Sequence, residues 1–185
     1  MTNYFVARAQ KDFNERNSFI GGIFTATNRN VNGNFNELHK AAYTLGTDFQ
    51  HNWKNRQYYV EGNAIFSHVL GSTEAITATQ QTLRHNFQRI DATHILVDEN
   101  KTSLTGTGGR LEVGKNGGGN WRYDGGLIWR SPELELNDVG FLRRTDEIIQ
   151  FVNLNYLWQV PTALYRNINL GFEQGTDYDF GGNLN

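Results

Sequence analysis

Cysteine is absent from this chain, so neither a disulfide framework nor a thiolate metal site is available, and compartment is not legible from redox chemistry. An excess of either charge is also missing. Seventeen basic and nineteen acidic residues leave a net charge of -2, with no long run of one sign, which gives a nucleic-acid partner no electrostatic support. No apolar run of about 18 residues occurs, and that excludes a transmembrane helix. It does not exclude a transmembrane barrel, because alternating strands average to a hydrophilic composition such as the mean hydropathy of -0.58 here. The start, Met1-Thr2-Asn3-Tyr4, lacks a signal-peptide core and enters a strand-like run at once. Two readings follow: a protein that is not exported, or an internal segment carrying a start methionine. Proline is scarce at 2 residues, whereas glycine reaches 20 and aromatics 13%. That mixture suits β-structure with many tight turns, and the length suits one domain or part of one.

What the chain does have is alternation. From His39 to Leu70 apolar and polar residues follow one another at period two, as side chains do on the two faces of a strand. Ala41, Tyr43, Leu45, Thr47, Phe49 and Trp53 share one row, and Lys40, Thr44, Asp48, Gln50 and Asn52 the other. After the polar turn Lys54-Asn55-Arg56-Gln57 the pattern resumes, with Tyr58, Val60, Gly62, Ala64, Phe66 and Leu70 opposing Tyr59, Glu61, Asn63 and Ser67. This is an antiparallel hairpin whose arms are long enough to cross a bilayer when tilted.

Three more hairpins are expected. Asn3 to Phe13 and Asn17 to Arg29 flank Asn14-Glu15-Arg16, with Phe5, Ala7, Ala9 and Phe13 in one row and Ile20, Gly22, Phe24 and Ala26 in the next; Phe19 and Ile23 occupy the opposite row. Thr105 to Lys115 and Trp121 to Arg130 flank the Gly-rich turn Asn116 to Asn120. Glu147 to Val160 and Leu164 to Gln174 flank Pro161-Thr162-Ala163, with Ile148, Val152, Leu154, Tyr156, Trp158 and Val160 as the apolar row. Between hairpins lie the Asn-rich connection Asn30 to Glu37, a long stretch from Gly71 to Lys101 and a second from Ser131 to Asp146. Within the first long stretch, Ile76, Leu83 and Phe87 approximate a helical stripe over Glu74 to Phe87, weakened by threonines.

Short turns therefore alternate with long loops. An outer-membrane barrel is built that way, with tight periplasmic turns and long outer loops. Phe13, Trp53, Tyr58, Trp121, Trp158 and Tyr165 fall mostly beside the short turns, where an interfacial girdle belongs. A soluble up-and-down barrel shares the rhythm, but its apolar rows face a core.

Chemical motifs are weak. Gly109 to Lys115 spells G-x-x-x-x-G-K, but Asn116 replaces the magnesium-binding Ser or Thr and a turn follows where a helix is required, so it reads as a strand end. His39, His51, His68, His85 and His94 show no metal spacing; His39 and His51 share a strand face but lie roughly 40 Å apart along it. His68 falls in the apolar row of the central hairpin. No Ser-His-Asp set can be assigned from the sequence, the G-x-S-x-G elbow is absent, and no cofactor is implied. The loop carboxylates Glu133, Glu135 and Asp138, with Arg130, Arg143 and Arg144 nearby, form the one polar cluster of note. It reads either as a binding site for sugar, cation or partner, with Glu133, Glu135, Asp138, Arg143 and Arg144 as contacts, or as a loop folded inward and pinned by ion pairs. In the second reading Leu134, Leu136, Val139 and Phe141 pack beneath it. Glu61, Arg110, Glu112, Arg122 and Asp124 are the candidates for lining a barrel interior.

Four stretches go beyond pattern: YFVARAQKDFNERNSFIGGIFTATNR from Tyr4, GTDFQHNWKNRQYYVEG from Gly46, LRHNFQRIDATH from Leu83 and WRSPELELNDVGFLRRTDEI from Trp129. They resemble the C-terminal region of a large Gram-negative bacterial family of unknown function, in which a family-nine-type carbohydrate-binding module precedes a predicted outer-membrane β-barrel. The resemblance covers nearly the whole chain and is most specific over Ser131 to Arg144. It implies localisation in the cell outer membrane, contact with its lipid, and an internal segment of a larger barrel, since the module is absent and the sequence stops at Asp177-Tyr178-Asp179-Phe180-Gly181-Gly182-Asn183-Leu184-Asn185.

The expected architecture is an all-β, antiparallel up-and-down barrel or partial barrel of about eight strands in one domain. The expected role is passage, docking or surface binding of a solute or partner, not catalysis. A glycan is the partner suggested by association, and the remaining strands of a parent barrel or other envelope proteins are further partners. The rival is a soluble β-barrel or β-sandwich ligand-binding module; an enzyme using the Glu133 to Asp138 carboxylates lacks a second matched group.

Overall fold

A computed structural model describes residues 1–31, 35–138 and 140–185. Eight strands follow one another in a single antiparallel sheet of order β1 to β8: Thr2–Phe13, Ser18–Arg29, Ala41–Trp53, Tyr58–Leu70, Ser103–Lys115, Trp121–Arg130, Glu147–Trp158 and Ile168–Tyr178. The sheet is an up-and-down meander. It is not closed, because β1 and β8 do not pair and each keeps a free edge.

The period-two pattern fixes two faces that persist across every strand pair, since directly opposite residues point the same way. One face runs through Ala7, Phe24, Leu45, Phe66 and Thr107; further along it come Leu111, Leu127, Leu154 and Phe172. Phe19 and Ile23, ambiguous in sequence, belong to the other face with Gln50 and Gly46. His68 sits on the apolar face, opposite Tyr43 and Thr105, and bonds the Thr105 hydroxyl at 2.8 Å.

The hydrophobic core lies on the polar face at its long-loop end. Helix α1, Thr73–Gln80, is capped by the Ser72 hydroxyl, which accepts from the Ala75 backbone N–H. It packs Ile76 on Ala42, Val69 and Leu104 from β3, β4 and β5. A satellite cluster of Phe87, Ala92 and Ile95 fills the rest of the β4–β5 connection.

Four expectations need correction. The helix ends at Gln80, so Ile76 and Phe87 are buried by different segments while Leu83 is 93% exposed. The second half, Gln81 to Phe87, lacks the apolar stripe that would hold it down, and Asn86 at φ 50° leaves the helical region. The last hairpin turns over residues 159–167, not at Pro161 to Ala163: register pairs Trp158 with Ile168, leaving Val160 and Tyr165 outside the strands. Backbone bonding there is local, from the Thr162 N–H to the Tyr165 carbonyl, because proline has no N–H to continue the ladder. His39 precedes β3 and does not share a face with His51. Beneath the Ser131 to Asp146 loop it is Leu142, not Phe141, that is buried; Val139, and part of the Asn30 to Glu37 connection, lie outside the described residues.

Two short turns share an unusual backbone. Asn14, Glu15 and Arg16 have φ of 54°, 55° and 63°, and Lys54, Asn55 and Arg56 have 49°, 55° and 61°. Three consecutive left-handed residues without glycine cost roughly 1–2 kcal/mol each, less for asparagine. Arg56 staples the turns together by donating to Asn17 Oδ1 at 2.9 Å and to the Arg16 carbonyl at 3.2 Å.

Candidate functional site

Every carboxylate within the strands, Asp12, Asp48, Glu61, Glu112, Asp124, Glu147, Glu173 and Asp177, lies on one face. Burying a charge is costly unless it is paired, and most of these are. Arg8 pairs Asp48 at 2.8 Å, Gln50 donates to Glu61 at 3.0 Å and the Asn153 amide donates to Asp124 at 2.7 Å. Glu112 receives the Tyr59 hydroxyl at 2.5 Å and the Arg110 guanidinium, and Arg130 pairs Glu147. Thus Glu61, Arg110, Glu112 and Asp124 share one polar face, each held by its own partner. Arg122 shares their face, but its guanidinium turns back to the carbonyls of Gly119 and Trp121, both at 2.9 Å.

Across this lining runs the connection between β6 and β7. Leu134, 1% exposed, rests on β5 at Gly106, where an added Cβ would fall 2.2 Å from the Leu134 nitrogen. Only glycine permits that approach. One residue on, the Glu135 N–H donates to the Ser67 hydroxyl of β4 at 3.0 Å. Further still, Asp138 meets the Arg29 guanidinium at the end of β2 and His39 Nδ1 at 2.8 Å. The segment leaves β6 and is tied to β5, β4 and β2 in turn, so it is a strap across the polar face.

Each loop carboxylate is committed to its own anchor. Glu133 pairs Lys101 and accepts from the Thr105 N–H at 3.3 Å. Glu135, 2% exposed, accepts from the Asn137 backbone and side-chain amides at 2.6 and 2.8 Å. Burial opposes ionisation of Asp138, but hydrogen bonds from His39 and Arg29 outweigh it and hold its pKa below the ordinary carboxylate value. His39 Nε2 completes the hub with Thr79 of α1 at 2.7 Å. Arg144 reaches Asp177 at 3.5 Å and Glu147 at 3.9 Å, whereas Arg143 is exposed. The five candidates of this loop therefore do not converge on one point.

His85 braces the strap from the β4–β5 connection. Its Nε2 lies 3.1 Å from the Leu134 carbonyl, which only accepts, so Nε2 carries the proton and the ring is held from the other side by Thr82 at 3.2 Å. Burial pushes its pKa down, against the pull of Glu135, whose carboxylate is 3.8 Å away.

A second hub gathers three segments distant in sequence. Arg89 contacts Asp146 at 2.5 Å and Asp179 at 3.3 Å, and His94 Nε2 lies 2.9 Å from Asp146. Burial raises the Asp179 pKa, but bonds from Asn183 and the charges of His94 and Arg89 carry it below the usual range. His94, Asp146 and Asp179 place ligand-type atoms within 4.8 Å of one another, but the Arg89 guanidinium already pairs with both carboxylates. Histidine spacing gave no sign of this hub, nor of Arg29, His39, His85 and Lys101 as anchors. Their partners come from other connections, and no short motif encodes such pairings.

Gly109 to Lys115 lies within β5 and leads into a turn. A cavity of about 300 Å³ remains between the strap and the sheet, bounded by Asn63, Arg110, Arg130, Leu134, Leu136 and Leu142 among others. No curated protein and no solved structure matches this chain. Residues 1–183 match the model of a family described as a domain of unknown function (DUF5916), and the chain belongs to that family.

Proposed function

We propose that this chain is a segment of an outer-membrane β-barrel whose apolar face meets lipid and whose polar face borders an interior crossed by the strap. Its role in this reading is passage, docking or surface binding of a solute, with a glycan as the class suggested by the module-bearing family it resembles, and not catalysis. The observation that carries the reading is the asymmetry of the sheet. The apolar face has no carboxylate in any strand and leaves Leu45, Phe66 and Leu111 53%, 46% and 49% exposed, while the helix and strap pack on the opposite face. In water such a surface would be an aggregation hazard; against acyl chains it is the required solvent. Strands of 10 to 13 residues, tilted by about 45°, rise roughly 25–30 Å, the height of an outer-membrane apolar band. The two ion-pair hubs and the strap's separate anchors favour a fixed internal constriction over a catalytic pocket.

Because the chain lacks cysteine, single cysteines test this directly. Spin labels at Thr47, Phe49, Ala64 and Phe66 in reconstituted vesicles are expected to collide with membrane-dissolved oxygen, and labels at Asp48 and Asn63 with a water-soluble nickel chelate. A water-soluble, monodisperse chain whose apolar-row labels are shielded from both reagents would replace this reading with the soluble binding module.

A further inference from the structure

The short-turn end of the apolar face carries a basic feature that the polar lining does not explain. Within the strands, the lysines on this face are Lys11 and Lys115, both near the turns. Lys115 and Lys54, from the turn after β3, each place an ammonium over the ring of Tyr58, at 5.7 and 5.4 Å from its centroid. Tyr58 stacks on Trp53 at 5.7 Å and 17°, and Trp53 on His51 at 5.7 Å and 12°. Among the described residues no carboxylate lies within 4.0 Å of either ammonium. Two like charges held on one ring repel each other, and the ring's negative faces offset only part of that cost. An anion held by both offsets the rest.

Lys54 is also held in place. It begins the left-handed turn whose Arg56 is stapled to the neighbouring hairpin. Beside it a cavity of about 450 Å³ opens between the two turns, bounded by Asn14, His51, Trp53, Lys54, Asn55 and Arg56 among others, with no acidic side chain on its wall. The polarity, the aromatic stack and the position at the end of an apolar face together match the interfacial zone of a bilayer.

We propose that Lys54 and Lys115, whose ammonium groups both lie over the Tyr58 ring, bind the phosphate of an anionic phospholipid headgroup in the leaflet at the short-turn end. The inference rests on the membrane reading above. Tyr58 and Trp53 sit at the level of the glycerol backbone, the ammonium groups reach the phosphodiester, and the acyl chains lie along the exposed apolar rows. Charge attraction to an anionic leaflet contributes about fivefold in affinity per lysine.

The test uses the full chain reconstituted in phosphatidylcholine vesicles, with spin-labelled phosphatidylglycerol or spin-labelled phosphatidylcholine as the probe. The motionally restricted fraction is expected to favour phosphatidylglycerol. Lys54→Gln and Lys115→Gln should each lower that preference by about fivefold at low salt, while Lys54→Arg with Lys115→Arg retains it. An unchanged preference in the double glutamine variant overturns the site. Displacement of the labelled lipid by soluble glycerol phosphate overturns the lipid assignment in favour of a soluble phosphate. A chain that inserts but shows no preference removes this inference alone; a chain that fails to enter the vesicles removes the membrane reading with it.

Discussion

The two faces of the sheet are made from the same strands, yet they meet opposite demands. On one, Arg8, Arg110 and Arg130 are each paired with an acid and a strap is tied down over the lining. On the other, large apolar side chains stand exposed beside small ones such as Ala7, Ala9, Gly22 and Ala64, and no acid occurs. The difference teaches that acid is confined to one face of this sheet, where most of the strand carboxylates find a hydrogen-bond or ion-pair partner.

The sharpest way to break that comparison is to exchange the faces one position apart in β3. Phe49→Arg, one step from the strand centre on the apolar face, is expected to cost about 2 kcal/mol of folding free energy in vesicles. Gln50→Arg, opposite Glu61, should stay within about 0.5 kcal/mol. Urea unfolding of the two variants in the same lipid decides it, and equal costs would contradict a lipid-facing row.

A comparable effect is expected on the strap. Asp138→Asn leaves Arg29 without its anionic partner and should cost about 1.5–3 kcal/mol at neutral pH, read from the urea midpoint. The sign with pH follows from the lowered native pKa of Asp138. Its contribution is full above the ordinary carboxylate pKa of about 4, and is lost as pH falls through the depressed native value, a step that the variant lacks. His85 adds a second dependence. Folding holds it neutral, so stability falls as pH drops below about 6.5, and His85→Gln should flatten that limb.

The smallest effect concerns the left-handed turns. Glu15→Gly, at φ 55°, should stabilise the first hairpin by about 0.5–1 kcal/mol, because glycine adopts that conformation without the Cβ clash. A loss in thermal or urea stability would show that the glutamate side chain matters more than the backbone.

Most of the fold was legible because alternation is a local signal. Tyr43, Leu45, Phe66, Leu154 and Tyr156 share the face that their rows predicted, and three of the four hairpin turns fall where the polar residues placed them. The fourth turn was misplaced because Pro161 marks a loop without fixing its length. The strap was readable only in part. Glu133 to Leu136 alternate charge and apolar as a one-sided segment should, yet Leu134 and Glu135 are both buried, and which loop leucine is buried depends on Gly106 and Ser67, far away in sequence. The two hubs were illegible for the same reason. Arg29 and His39 meet Asp138 only once the chain has crossed from β2 to the β6–β7 connection, and Arg89 meets Asp146 and Asp179 only through the packing of three segments.

On the proposed membrane reading, the unpaired margins of β1 and β8 impose a condition on how such a sheet enters a bilayer. Each margin presents a row of backbone N–H and C=O groups without a strand beside it, apart from the end of β8 where Asp177 and Tyr178 meet Asn185 and Leu184, and in hydrocarbon every such group left bare costs several kcal/mol. A debt of that size on both flanks rules out strand-by-strand insertion of an open sheet, so each flank must be matched, whether by the other or by a further strand, before the assembly is released into lipid.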